Sequence, residues 1–235
     1  MPRILSFDTS SEACSVYLED NGEHCAEFDM APRQHAQRLL PMIKSVLESR
    51  KLSPRELDAI AFSRGPGSFT GLRIAAGVAQ GLSYGSDCGV LAVSNLEAIA
   101  LSACENTTLN YILVVLDARM DEVYCGLFEI TRDLGGMSAV KLVGEESVTS
   151  PEKMRLHTDQ AVYAVGSGLE FVERFPASVQ KQITSRDVAA VSMAEDIARV
   201  ALRDFKLGVS LLTAREVRPS YIRDTVAWKK LPGRE

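Results

Sequence analysis

The chain has 235 residues, of which 46% are hydrophobic and 24% charged, a composition typical of a globular protein with one large domain or two smaller ones. Its 26 lysines and arginines against 31 aspartates and glutamates give a formal net charge of −5, which argues against tight nucleic-acid binding by the chain alone. From Arg215 onward, however, six basic residues stand against three acidic ones. This basic tail is either a solvated terminus or a contact for an acidic partner or RNA.

The cysteines and the N-terminus indicate the compartment. The cysteines contain no Cys-x-x-Cys pair and lie among apolar neighbours, as buried thiols do in a reducing compartment. Residues 1–8 contain no signal-peptide core, and the longest purely apolar run, 112–116, is too short to cross a bilayer. We therefore predict a cytoplasmic protein without membrane contact.

The first half of the chain begins with three strands and continues with helices and further strands. Asn21-Gly22 between two alternating runs predicts a hairpin, and Ser53 with Glu56 three residues later forms a capping box. The predicted strands are 3–8, 14–18, 23–28, 59–62 and 90–93, and the predicted helices are 39–47, a short one after Ser53, and 95–104.

A glycine-rich stretch lies between the fourth and fifth of these strands. A Gly-Pro-Gly turn at 65–67 is followed by Ser68 or Thr70 as a cap and then by a helix of alanines and glycines. Gly77 and Gly81 each cost about 1 kcal/mol relative to alanine in a helix interior. This cost implies that something approaches the helix backbone closely, either the chain's own sheet or another subunit.

The order of elements then restarts, which indicates an internal duplication. Residues 111–117 and 122–128 repeat the first two strands, and Asp117 ends its strand as Asp8 ends the first. Further predicted elements are a Gly135-Gly136 turn, a strand at 139–143, a helix start at 150–152 and a strand at 161–165. A last helix is predicted to begin with a capping box of Ser192 and Glu195 and to end near Gly208. We predict an α/β fold of two stacked, duplicated domains with a cleft between them, residues 1–106 and 107–215, followed by a basic tail at 216–235.

Polar residues that end equivalent strands are the candidates for chemistry. These residues are Asp8, Thr9, Ser10 and Asp117, and in the predicted fold they would face one another across the cleft. They could hold a magnesium ion and orient phosphates there. The alternative is that they only terminate their strands. The glycine-rich stretch is not a P-loop or a dinucleotide fingerprint, because it lacks the lysine of the first and has Thr70 in place of the third glycine of the second. The three histidines have no metal-ligand spacing, and no activated nucleophile is evident.

Three segments together resemble a known family. They are 3–10, 116–124 and above all 64–74, Arg-Gly-Pro-Gly-Ser-Phe-Thr-Gly-Leu-Arg-Ile, and the resemblance extends to Arg-Pro-Ser-Tyr-Ile-Arg at 218–223. The chain is similar to the TsaB family, also called YeaZ, of bacterial tRNA threonylcarbamoyladenosine biosynthesis subunits. The resemblance implies the actin-like fold of sugar kinases (ASKHA, ribonuclease H-like).

The chain also resembles TsaD, the catalytic relative of that family. The metal-binding His-x-x-x-His of TsaD falls on Asn95 and Ile99, and an isoleucine cannot bind a metal. The resemblance therefore implies a non-catalytic partner of TsaD that, with the ATPase TsaE, supports formation of threonylcarbamoyladenosine beside the anticodon of tRNAs reading codons that begin with A. The resemblance also implies that the chain forms a heterodimer with TsaD and a homodimer when it is alone. It implies that the chain contacts tRNA only indirectly and has no cofactor of its own, because ATP and Mg²⁺ enter through the complex.

The predicted partner surface lies in the N-terminal half. We expect it to be formed by exposed residues of the glycine-rich helix and of the helix before it: Phe69, Leu72, Arg73, Ala76, Ala79, Gln80, Arg38 and Met42. The rival hypothesis is an independent enzyme, either an ATPase using Asp8, Thr9 and Asp117 around magnesium or a hydrolase of the glycoprotease type. Contact with RNA through Trp228, Lys229 and Lys230 is compatible with the partner hypothesis.

Overall fold

The computed structural model describes residues 2–132 and 138–222, which form two five-stranded sheets with helices around and between them. The first sheet contains β1 (Arg3–Asp8), β2 (Ala13–Asp20), β3 (Glu23–Met30), β4 (Ala59–Gly65) and β5 (Val90–Ser94), and the second contains β6 (Tyr111–Arg119), β7 (Glu122–Arg132), β8 (Ser138–Thr149), β9 (Val162–Val165) and β10 (Ile183–Asp187). The helices are α1 (His35–Ser49), α2 (Phe69–Ser86), α3 (Asn95–Ala103), α4 (Ala177–Gln182) and α5 (Ala194–Lys206).

The two sheets have the same topology. Their strand orders are β3-β2-β1-β4-β5 and, in the matching sense, β8-β7-β6-β9-β10. In each sheet the central strand, β1 or β6, pairs antiparallel with the strand that follows it in the chain and parallel with β4 or β9 on its other side. The predicted α/β fold of two duplicated halves is therefore confirmed.

Successive residues of β1 point into two different cores, because side chains alternate across a strand. Leu5 and Phe7 lie in the core that α1 and α2 cover, whereas Ile4 lies in the core shared with α3 and α5. The second core also contains Ile112 and Phe128 of the second sheet, so that α3 and α5 form a helical layer between the two sheets.

Helix α5 belongs to the second half in sequence but packs on the first sheet. Two buried serines hold its first residue: the Ser6 hydroxyl donates to the Ala194 carbonyl at 2.7 Å, and the Ala194 N–H donates to the Ser15 hydroxyl at 2.9 Å. The predicted domains, residues 1–106 and 107–215, follow the order of elements along the chain and so assign α5 to the second domain. In the structure, α5 packs on the sheet of the first domain.

Several local predictions differ from the structure. The helix expected from 150–152 is a single 3-10 turn, Pro151–Lys153. The last helix begins at Ala194 and its capping bond joins the Met193 N–H to the Asp196 carboxylate at 3.1 Å, so the expected cap by Ser192 and Glu195 is wrong. Helix α4 and strand β10 were not predicted, because β10 is almost wholly exposed and lacks an alternating apolar pattern. The Gly135-Gly136 turn lies outside the described residues.

After α5 the chain returns along the first half as a strap, residues 209–222. Val90 and Leu212 exchange two backbone hydrogen bonds, of 2.9 and 2.8 Å. Val217 is buried in the core under α1 and α2. The first residues of the predicted basic tail are thus part of the folded structure, and residues 223–235 lie outside the described part.

The N-terminus of α5 makes one pH effect predictable. Burial raises the pKa of the Asp196 carboxyl from 3.8 to about 6, although bonds from Ser102 and Met193 oppose the shift. Because the folded state holds this proton more tightly, the stabilisation is complete below pH 3.8 and is lost as the pH rises through about 6. Between about pH 4.5 and about pH 7.5, the wild type should lose about 2 kcal/mol of unfolding free energy relative to Asp196→Asn.

Urea denaturation of both proteins at the two pH values measures this difference. Glu195→Gln, which removes an exposed carboxylate from the same turn of α5, is the matched control. If Asp196→Asn and the wild type changed in parallel with pH, the buried carboxyl would not be the cause.

Candidate interaction surface

The polar residues at the end of β1 bond to their own neighbours. One oxygen of the Asp8 carboxylate accepts from the Ser63 hydroxyl and from the Ser10 N–H, each at 2.7 Å. The Asn95 amide donates to the Ser10 hydroxyl, and its oxygen accepts from the Gly65 N–H at 3.0 Å. This network ties the loop after β1 to the ends of β4 and β5.

The Gly-Pro-Gly turn and the start of α2 cover that loop. A Cβ on Gly67 would lie 2.7 Å from Ser10, and one on Gly71 would lie 1.8 Å from the Thr9 carbonyl oxygen. The Thr9 hydroxyl donates to the Gly71 carbonyl at 2.8 Å. Asp8, Thr9 and Ser10 are consequently buried. Their part in a nucleotide cleft stays a prediction. The second oxygen of Asp8 is buried without a hydrogen-bond partner among the described residues.

Asp117 lies at the end of β6, in the second sheet. Its carboxylate accepts from the Arg119 N–H at 2.7 Å and pairs with the Arg119 guanidinium at 3.1 Å. Its own N–H donates to the Ser167 hydroxyl at 3.2 Å. These contacts all lie within the second half of the chain.

Metal-binding groups are also scattered where the structure describes them. Within residues 2–132 and 138–222, no three histidine, cysteine, aspartate or glutamate side chains are grouped so that they could hold a metal ion. Asn95 and Ile99, at the positions of the predicted lost ligands, are buried on α3. The described residues therefore supply no ligand set of the kind that TsaD is expected to have.

Helix α2 exposes a different face from the one predicted. Leu72, Ala76 and Ala79 are 2, 4 and 0% exposed; Ala76 and Ala79 lie, with Met42 of α1, in the core against the first sheet, and Leu72 lies against the turn at Gly65. The expectation that these four residues form an exposed surface is wrong, because all of them are buried, the three on α2 along the face that packs toward β4 and Met42 on the buried face of α1. Arg38, Phe69, Arg73 and Gln80 are exposed as predicted.

The outer face of α2 carries three glycines in one line. Gly77, Gly81 and Gly85 are exposed, and within residues 2–132 and 138–222 a Cβ on any of them would have no atom within 4 Å outside its own stretch of helix. The chain's own sheet does not approach these glycines, so its packing does not explain them. We define the outer face of α2 by its exposed residues: Phe69, Thr70, Arg73, Gly77, Gln80, Gly81, Tyr84 and Gly85.

Large apolar side chains are exposed on α2 and on the neighbouring helix α1. Phe69 is 54% exposed and Tyr84 is 86% exposed, at the two ends of α2. Leu40 of the neighbouring helix α1 is 52% exposed. Exposed apolar side chains grouped on neighbouring helices mark a protein-binding surface more often than an ordinary solvent face.

An aromatic cluster occupies the N-terminal end of the outer face. The Arg73 guanidinium lies 3.9 Å from the centre of the Phe69 ring and its Nε donates to the Tyr221 hydroxyl at 3.0 Å. The Phe69 and Tyr221 rings are 5.6 Å apart. Sequence analysis singled out the segment 218–223 but missed this contact, because 148 positions separate Arg73 from Tyr221.

The family follows from comparison with known proteins. A family model for TsaD, tRNA N6-adenosine threonylcarbamoyltransferase, matches residues 29–231. The tRNA threonylcarbamoyladenosine biosynthesis protein TsaB of Haemophilus influenzae is 40% identical, over 99% of this chain and 98% of its own length. The chain belongs to the TsaB family. TsaB of Escherichia coli is 38% identical over 99% of this chain and 100% of its own length.

Solved structures of TsaB relatives have the same fold. YeaZ from Pseudomonas aeruginosa is 37% identical in sequence to this chain, and its structure superposes with a TM-score of 0.85. The match covers 94% of this chain and 100% of the YeaZ chain. A second Pseudomonas aeruginosa structure, described as similar to peptidase YEAZ, is 37% identical with a TM-score of 0.86 over 95% of this chain. These matches confirm the predicted TsaB resemblance.

Among the helices of residues 2–132 and 138–222, none combines the length and the apolar content needed to cross a bilayer.

Proposed function

We propose that the chain is a non-catalytic partner subunit of TsaD in the formation of N6-threonylcarbamoyladenosine next to the anticodon of tRNAs reading codons that begin with A. One observation carries the proposal: three glycines line the outer face of α2, although none of the residues that the structure describes packs against the place where their side chains would be. Each costs about 1 kcal/mol in a helix interior. The proposal explains this cost, because the lack of side chains at the three glycines lets the backbone of a partner protein pack closely against α2.

The partner is a protein of the same fold. TsaD is homologous, as the match of its family model to residues 29–231 indicates. Two homologous subunits that meet through the same helical face form a pseudo-symmetric pair, and two copies of this chain form a symmetric one. We therefore propose a heterodimer with TsaD, which TsaE joins, and a homodimer when the chain is alone.

The closed loop after β1 supports an accessory role. Asp8 and Thr9 are buried beneath the Gly-Pro-Gly turn, and Ile99 stands where a metal ligand of TsaD is expected. In this proposal a nucleotide phosphate would reach Asp8 only by displacing the start of α2, which the hydrogen bond from the Thr9 hydroxyl to the Gly71 carbonyl holds over the loop. In this proposal ATP and Mg²⁺ act through the complex, tRNA is reached indirectly, and the complex works in the cytoplasm.

Reconstitution with the TsaD of the same organism tests the proposed function. Light scattering of the mixture should give the mass of a heterodimer, and the chain should raise the rate of threonylcarbamoyladenosine formation by TsaD at least about tenfold. The chain alone should show no turnover of ATP. An ATPase activity of the pure chain that Asp8→Ala removes, with the fold retained, would instead favour the independent enzyme.

A further inference from the structure

Strand β3 lies at the edge of the first sheet and turns half of its backbone groups outward. It pairs with β2 along all 8 of its residues. The two-residue turn at Asn21 and Gly22 makes Asp20 and Glu23 a hydrogen-bonded pair, so that residues 23, 25, 27 and 29 bond to β2. The N–H and carbonyl groups of the residues between them therefore point away from the sheet.

Most of these outward groups are unoccupied in the described parts of the chain, residues 2–132 and 138–222. The His24 carbonyl accepts from the Arg50 guanidinium at 2.9 Å, next to the turn. Beyond it, the N–H and carbonyl groups of Ala26, Phe28 and Met30 make no hydrogen bond with any described residue. These three residues leave an open edge on which another strand could form backbone hydrogen bonds.

The other three edge strands, β5, β8 and β10, are covered or irregular. Val90 of β5 exchanges two hydrogen bonds with Leu212 of the strap. Strands β8 and β10 pair with their neighbours across register shifts. Such features, like lysine and proline in an edge strand, hinder pairing with other chains. Strand β3 has no register shift, and residues 13–30 contain no lysine, arginine or proline.

The face of β3 toward α5 is apolar at this open edge. Phe28 lies opposite Ser15, whose hydroxyl accepts from the first N–H of α5, that of Ala194. The side chains of Phe28 and Met30 are on the same face, because residues two apart in a strand share a face. They are 54% and 59% exposed. A strand added at this edge would cover them with its own apolar side chains.

The opposite face of β3, toward α1, is acidic. Glu23 pairs with Arg50, and Asp29 pairs with Arg38 of α1. Glu27 lies between these two pairs and has no ion pair with any residue that the structure describes. A lysine or arginine beside Glu27 on an added strand would complement its charge.

We propose that β3 binds an extended segment of another protein as an additional strand of the first sheet. In that segment apolar side chains, which pack on Phe28 and Met30, alternate with lysine or arginine, which pairs with Glu27. A second copy of the chain fits this edge poorly, because two antiparallel β3 strands would place acidic residues opposite acidic residues. The proposal does not depend on the outer face of α2 or on TsaD.

Calorimetric titration of the full chain with two capped octapeptides tests the proposal. A peptide of alternating valine and lysine should bind at least about tenfold more tightly than one of alternating valine and glutamate. Glu27→Lys should reverse this preference, whereas Glu170→Lys, which makes the same charge change at an exposed position of the second half, should not alter it. Hydrogen exchange of the Ala26 and Phe28 amides should slow at least about tenfold when the valine–lysine peptide is bound.

A proline on the open edge tests the backbone pairing itself. Ala26→Pro removes one outward N–H, which an edge strand tolerates, and should weaken binding of the valine–lysine peptide at least about tenfold. Urea denaturation checks that this variant is folded, and Glu27→Lys tests the same edge without a change of backbone.

Three results would overturn the proposal. Equal affinity for the two peptides would mean that binding is not selective for the charge of β3, and absence of binding would mean that the edge takes no such strand. Unchanged exchange of the Ala26 and Phe28 amides would place the peptide elsewhere. If Gly81→Glu still dimerised in light scattering and adding Ala26→Pro made it monomeric, the edge would bind a second copy instead.

Discussion

Gly81→Glu is expected to abolish the association of the chain with TsaD while leaving the chain itself folded. Gly81 lies on the outer face of α2, and a Cβ added there meets, outside its own stretch of helix, no atom of the described residues within 4 Å. Glutamate restricts the unfolded chain more than glycine does and is a better helix former, so the free energy of unfolding should not fall. At the interface, however, the carboxylate would be buried without a partner and would hold the two helices apart.

The expected loss of affinity is at least about 100-fold, the scale of an unpaired buried charge at an interface. Light scattering of the mixture and calorimetric titration measure it, and threonylcarbamoyladenosine formation should fall with it. Ser178→Glu is the matched control, because it adds the same charge to an exposed position of α4 in the second half. Wild-type affinity in Gly81→Glu would show that TsaD binds elsewhere.

Local patterns in the sequence predicted most of the elements. The alternation in β1, β2 and β3 and the Asn21-Gly22 hairpin identified the first sheet, and their repetition after residue 110 identified the second. These signals are strong because one face of each strand is buried, so that the side-chain period is visible in the sequence. Strand β10 and helix α4 are short and mostly exposed, so their sequences show no regular spacing of apolar residues from which they could be predicted.

The candidate site depended on contacts that local patterns do not contain. The orientation of α2 was predicted wrongly, although Leu72, Ala76 and Ala79 repeat at the spacing of a buried helix face and the glycines at 77, 81 and 85 fall on the exposed side. The closure of the loop after β1 was not predicted, since it depends on the fit of Thr9 against a residue 62 positions away. Backbone contacts of this kind are set by tertiary packing alone.

Two glycines of one helix provide a matched pair for the last prediction. In Gly71→Ala the new methyl group would lie 1.8 Å from the Thr9 carbonyl oxygen and 2.9 Å from its carbonyl carbon. Neither atom moves without breaking the network that buries Asp8, so the free energy of unfolding should fall by at least about 3 kcal/mol. In Gly77→Ala the methyl group meets nothing, and stability should rise by about 1 kcal/mol. Urea denaturation of both variants measures the contrast, and similar values would mean that α2 does not press on the loop.

Gly77→Ala should also bind TsaD more weakly than the wild type, because the methyl group occupies the space into which the partner's backbone fits. A substitution that stabilises the chain would then impair its association. The changes in stability and in affinity distinguish two explanations for the glycine at position 77. If the fold requires glycine, Gly77→Ala should lower the free energy of unfolding. If the partner requires it, the substitution should weaken binding to TsaD without lowering the free energy of unfolding. If calorimetric titration gave wild-type affinity for Gly77→Ala, close backbone approach at this glycine would be excluded.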